Sequence, residues 1–129
     1  MLNAPLANEK AALAGGFLGH SFNAPAFYYP KPASVRGRIL GALLRGDRLT
    51  QLDALHRFGN FRLAADVEVL RRHGWPIRTD EIEVRTSDAG RRACVAEYKL
   101  EPAGIAMAGE EGQRYGTAAL VAEIERKAA

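Results

Sequence analysis

The sequence predicts an α+β domain of three short helices followed by a two-stranded hairpin, on three observations. Between residues 34 and 72, apolar side chains recur every three to four positions in runs separated by glycines. After Trp75-Pro76 the apolar period drops to two. The chain is 129 residues long, 47% hydrophobic and 26% charged, which suits one ordinary domain with tails rather than a disordered chain.

Each element follows from local chemistry. Ser34 is a natural cap for a first helix, in which Val35, Ile39, Leu40, Leu43 and Leu44 share a face before Gly46 stops the run. Thr50, with Asp53 three residues later, is a shortened capping box for a second helix whose apolar side is Leu52, Leu55 and Phe58. Gly59 ends that helix. Asn60 is then expected to cap a third helix of about 13 residues, with Leu63, Val67 and Leu70 as its buried stripe. In the hairpin, Ile82 and Val84 alternate with Glu81, Glu83 and Arg85, and Cys94, Ala96, Tyr98 and Leu100 alternate with Val95, Glu97 and Lys99. Trp75 is expected as a wedge between the third helix and the hairpin, and Cys94 as a small core residue.

Two short helices joined through a glycine-containing turn are a helix-turn-helix signature, and a preceding helix with a following hairpin makes the winged variant. That domain is expected over residues 34–100. Residues 1–33 read as an irregular arm whose aromatics Phe17, Phe22, Phe27, Tyr28 and Tyr29 pack in part on the domain or on a partner. Residues 101–129 read as a Gly/Ala/Glu-rich linker and a short C-terminal helix carrying Leu120, Val121 and Ile124 on one side.

The formal charge is +3, and the middle of the chain holds the surplus: 13 Lys/Arg against 9 Asp/Glu over residues 34–100. No apolar run is long enough to cross a membrane and no secretory leader pattern opens the chain, so a cytoplasmic location is expected. A single cysteine excludes an internal disulfide framework. His20, His56 and His73 share no ligand spacing, so neither a metal nor a cofactor is expected. Phosphate-binding loops, nucleophile elbows and zinc-hydrolase motifs are missing, so no catalytic residue is proposed.

Opposite its buried stripe, the third helix carries Phe61, Arg62, Ala65, Glu68, Val69 and Arg72, the side a DNA groove would meet. Arg62 is the candidate for contact with a base edge, since Arg grips guanine through two hydrogen bonds. Asn60, Phe61, Ala65 and Arg72 complete that surface. Arg48 and Thr50 stand at the start of the second helix, where backbone N–H groups favour a phosphate, and Arg91 and Arg92 stand at the wing tip beside Gly90.

The stretch RILGALLRGDRLTQLDALHRFGNFRLAADVEVLRRHGWPI, followed by a hairpin ending in AEYKL, resembles the small winged helix-turn-helix proteins of bacteriophage and prophage genomes. In those proteins a Leu/Thr-x-Leu-x-Ala-Leu helix leads through Phe-Gly to Arg-Leu-Ala-Ala, then to Leu-Arg-Arg-x-Gly and Pro-Ile. The resemblance covers residues 34–100 and neither tail. It implies a double-stranded DNA-binding module encoded by a mobile element, acting as a transcriptional regulator. A homodimer joined through Leu120, Val121 and Ile124, or through the aromatic arm, would read two half-sites. Asp66 and Glu68 on or beside the reading face, with Phe61 and Val69 making it partly apolar, keep open a second role as a module that binds a host protein.

Overall fold

The computed structural model describes residues 27–86 and 90–128; Phe17, His20 and Phe22 of the arm lie outside them. Seven elements follow in order: α1 (Val35–Leu44), β1 (Leu49–Thr50), α2 (Gln51–Phe58), α3 (Leu63–Arg72), β2 (Ile77–Arg85), β3 (Arg92–Leu100) and α4 (Pro102–Ala128). The strands form one antiparallel sheet in the order β1-β3-β2. This is the winged helix arrangement that the order of periods predicts, with additions at both ends.

Helix α1 is the centre of the molecule. The Ser34 hydroxyl caps it, accepting from the Gly37 N–H at 2.9 Å and donating to the Lys31 carbonyl at 2.7 Å. From Gly37 to Leu44 every residue is buried, so the helix is covered on all sides rather than on one stripe. Ile39, Leu40, Leu43 and Leu44 meet Ala54 and Phe58 of α2, Leu63, Val67 and Leu70 of α3, and Ile77 and Leu100 of the sheet in one apolar core.

Helix α2 carries the full capping box: Thr50 Oγ1 accepts from Asp53 N–H, and the Asp53 carboxylate accepts from Thr50 N–H. Gly59 ends it in the left-handed conformation, at φ 65°. Leu52, expected on the apolar side, is instead exposed, because α2 is covered only over Ala54 and Phe58.

Two expectations for α3 are corrected. It spans ten residues rather than about 13, and its N-cap position is Arg62, not Asn60. Asn60 works two residues earlier: its side-chain oxygen accepts from Arg62 N–H at 2.7 Å, a turn closed by its own side chain. The missing cap is supplied across the turn, where Leu63 N–H donates to Gln51 Oε1 at 2.8 Å. Gln51 Nε2 also donates to the Asn60 carbonyl at 2.7 Å, so one glutamine fixes the angle between α2 and α3.

The wing is a hairpin of two nine-residue strands, in register from Ile77 opposite Leu100 to Arg85 opposite Arg92. A third strand, β1, adds Leu49 opposite Tyr98; two residues are too short to show a period, and the sequence reading did not include it. The pair Ile77 and Leu100 is buried, and the same side of the sheet carries Tyr98 and, further out, Cys94. Cys94 is exposed rather than a core residue. It lies six residues, about 20 Å, from Leu100, where the hairpin has outrun the domain beneath it.

The largest departure is at the C-terminus. In place of a linker and a short helix, residues Pro102–Ala128 form one helical element, interrupted only at Gly109, whose φ is 59°. Before the break Gly104 lies against Pro76 and Leu100; after it the small residues Gly112, Gly116 and Ala119 lie against Gly41 and Leu44 of α1, and Glu123 is buried one turn further on. A Cβ on Gly41 of α1 would come 2.3 Å from that of Ala119, so the two backbones approach as closely as glycine allows.

A charged cluster fastens the far end of this seam. Glu123, its side chain 7% exposed, accepts from Arg57 of α2 at 3.3 Å through both carboxylate oxygens and pairs with Arg45 at 3.5 Å. Arg57 also donates to Asp47 at 3.1 Å. Burial alone would lower the Arg57 pKa, but hydrogen bonds to Glu123 and Asp47 outweigh it and hold the group above its usual value. For Arg45 burial is the larger effect, and its pKa falls below the usual value despite Asp47 and Glu123.

The described part of the arm, residues 27–33, is a strap. Phe27 stacks on Trp75 with centroids 4.2 Å apart, and Tyr29 meets Trp75 and Tyr115. Trp75 is buried as expected, and its indole N–H donates to the Tyr28 carbonyl at 2.9 Å. Tyr115 of α4 donates its hydroxyl to the Pro30 carbonyl. Strap, α4 and helix-turn-helix therefore share one packed body.

Candidate nucleic-acid interface

The outward side of α3 lines an open concavity whose other wall is the first turn of α1. Phe61, Arg62, Ala65, Glu68, Val69 and Arg72 stand on one side, Val35 and Arg36 on the other. The depression continues past the C-terminus of α3, where Arg36 and Arg72 are joined by Tyr28 and His73. Three guanidinium groups, Arg36, Arg62 and Arg72, thus border one surface.

The two carboxylates of α3 are handled differently. Asp66, its side chain 15% exposed, turns inward: one oxygen accepts from Arg36 Nε at 3.0 Å and the other from the Asn60 amide. Its charge is neutralised within the wall of the concavity. Glu68 stays 60% exposed and pairs with Arg71 at 3.1 Å, while Arg71 also holds the Ile77 carbonyl and Thr79 hydroxyl of β2. Among the described residues, Arg62 and Arg72 make no ion pair, and both are exposed.

The structure sorts the other sequence candidates. Phe61 is 78% exposed at the rim, and Ala65 is exposed along the same line. Asn60 is buried, and both ends of its amide are engaged by Arg62 and Asp66, so it shapes the turn from within. Thr50 spends its hydroxyl in the capping box, donating to Asp53 Oδ2 at 3.0 Å and accepting from Asp53 N–H at 3.2 Å. Arg48, on the far side of α2, approaches Glu97 at 4.0 Å and does not border the concavity. At the wing tip, Arg92 pairs with Glu83 at 3.2 Å, and the Arg91 carbonyl closes the turn by accepting from Thr86. Both arginines are exposed.

Sequence reasoning missed Arg36 and Tyr28. Each belongs to a segment remote from α3 along the chain, and no local period marks either as a neighbour of the reading side. Leu120, Val121 and Ile124 lie on the outer side of α4 and are exposed.

A family model described as a winged helix-turn-helix domain matches residues 35–102, 68 of the 129. The chain belongs to this family. The comparisons with curated proteins and with solved structures each gave no match. The winged helix-turn-helix match ends as α4 begins, so the strap and nearly all of α4 are additions to the matched domain. The winged helix-turn-helix domain points to DNA binding. Among the described residues no helix is long and apolar enough to cross a membrane, and no cluster of ligands could hold a metal ion.

Proposed function

We propose that this chain binds double-stranded DNA through the outward side of α3, with the wing tip on the neighbouring backbone, as a transcriptional regulator of the bacteriophage and prophage kind. The observation that carries the reading is the exposed pair Arg62 and Arg72 beside an α3 whose Asp66 is turned inward and neutralised by Arg36. Arg62 contacts a base edge or phosphate at the N-terminal end of α3; Arg91 and Arg92 hold phosphates. The outer side of α4, with Leu120, Val121 and Ile124, joins two copies so that two reading helices face half-sites about one helical turn apart.

Anisotropy of a labelled random duplex at two salt concentrations tests this. Affinity is expected to fall steeply with salt, and Arg62→Ala combined with Arg72→Ala to weaken binding and flatten the salt dependence by about two phosphate contacts. Binding that ignores both salt and the mutations would sink the reading. One observation favours a second reading, a module that docks on a host protein: Phe61 is exposed on the same side as the exposed carboxylate of Glu68. A pull-down that returned only nucleic acid would count against it.

A further inference from the structure

Two exposed aromatic rings stand at the ends of the α3 concavity, and the backbone beneath each is anchored. Tyr28 is 61% exposed and Phe61 78%. Exposed rings on loose loops carry little meaning. These are held by their backbones instead. The Tyr28 N–H donates to the His73 carbonyl at 3.0 Å, its carbonyl accepts from the Trp75 indole, and the His73 ring braces it edge-on at 4.6 Å. Phe61 sits between Asn60, whose carbonyl is held by Gln51, and Arg62, whose N–H is held by the Asn60 side chain. The chain thus anchors the backbone beneath both rings and keeps two apolar faces in water, although neither is needed by the core.

Between the rings lie Arg62 and Arg72, with Arg36 paired to Asp66, Glu68 paired to Arg71, and Ala65 keeping the floor low, so the net charge of the surface is positive. A basic channel with aromatic platforms at its ends suits unpaired bases, which stack on rings while the phosphates run along guanidinium groups. A continuous duplex keeps its bases stacked on one another and offers no free base face to either ring. Helix α3, ten residues long, sets the ends about 15 Å apart, room for at most about four nucleotides, the number reached when the strand is fully stacked.

We infer that the α3 concavity takes an unpaired stretch of nucleic acid, with a base stacked on Phe61 and another on Tyr28, so that the protein prefers opened or single-stranded DNA to continuous duplex. This rests on the nucleic-acid reading above, keeps its arginines as phosphate contacts, and moves the preferred strand form from continuous duplex to opened DNA.

The test uses the full chain and three labelled probes: a duplex, the same duplex with a central bubble of about four unpaired nucleotides, and the matching single strand. The bubble or single strand is expected to bind about tenfold tighter than the duplex. Phe61→Leu, which keeps apolar bulk but removes the aromatic face, is expected to abolish that preference, so that bubble and duplex bind alike. Phe61→Trp is expected to retain it. A duplex bound as tightly as the bubble, or a preference that survives Phe61→Leu, overturns this inference and leaves the duplex reading standing. Failure to bind all three probes overturns both.

Discussion

Along the seam between α1 and α4 the side chains shrink to Gly and Ala until the backbones nearly touch, whereas along the outward side of α3 rings and guanidinium groups are held away from the rest of the chain. Both regions depend on rigid mounting, but in the seam the rigidity serves packing and on α3 it serves presentation. Change in the seam should therefore be felt as lost stability, and change on α3 as lost binding with the fold intact. Glu123 is the sharpest test of the first half. Replacing it by Ala would leave Arg45 and Arg57 partly buried without their shared carboxylate, a loss of about 3 kcal/mol, since removing one partner strands the others. Chemical denaturation should show a lower midpoint; an unchanged midpoint would mean that α4 is not fastened there. Arg62→Ala, by contrast, should leave that midpoint within about 0.5 kcal/mol of wild type.

Gly41→Ala probes the same seam by adding bulk instead of removing charge. The new methyl would come 2.3 Å from the Ala119 methyl, so α1 and α4 must move apart. A loss of about 2 kcal/mol is expected from such overpacking. Gly41→Ala combined with Ala119→Gly should recover part of it, a coupling that a double-mutant cycle measures directly. Recovery would place the strain between these two residues; equal loss in the single and double variants would place it elsewhere on α1.

The same contrast explains what could be read in advance. Large apolar residues announce their side of a helix, so α1, α3 and the strands of the hairpin were legible, as were the Thr50 and Asp53 box and the Gly59 stop. A buried side of Gly104, Ala108, Gly112 and Gly116 carries no such contrast, and the same composition describes a flexible linker, so half of α4 was misread. Asn60 looked like a cap because Asn at that spacing is a common cap; which backbone N–H it serves depends on Gln51, nine residues away in the sequence. On the candidate surface, Phe61, Arg62, Ala65 and Arg72 follow from one helical period. Arg36 and Tyr28 reach it only because α1 and the strap are folded alongside, which is tertiary information.

The smallest expected effect lies where the seam meets the strap, and it separates two neighbouring phenols. Burial raises the pKa of both Tyr29 and Tyr115 above the ordinary tyrosine value, with Glu111 adding to the rise at Tyr29 and Arg114 opposing it. In the unfolded chain these hydroxyls ionise near pH 10, while the folded protein keeps them protonated to higher pH. Above about pH 10 the unfolded state has therefore released protons that the folded state still binds, and stability must fall as pH rises. Below that pH their contribution is constant. The two side chains differ in partners: Tyr115 donates to Pro30, whereas the Tyr29 hydroxyl is buried with no hydrogen-bond partner among the described residues. Tyr29→Phe should thus be neutral or slightly stabilising near neutral pH and should flatten the alkaline decline. Tyr115→Phe should flatten the decline too but lose about 1 kcal/mol near neutral pH, the worth of its bond to the strap, a deficit that shrinks above about pH 10. Melting curves of the two variants at neutral pH and above about pH 10 distinguish them, and identical neutral-pH stability would mean that the Tyr115 bond to Pro30 adds nothing to the hold on the strap.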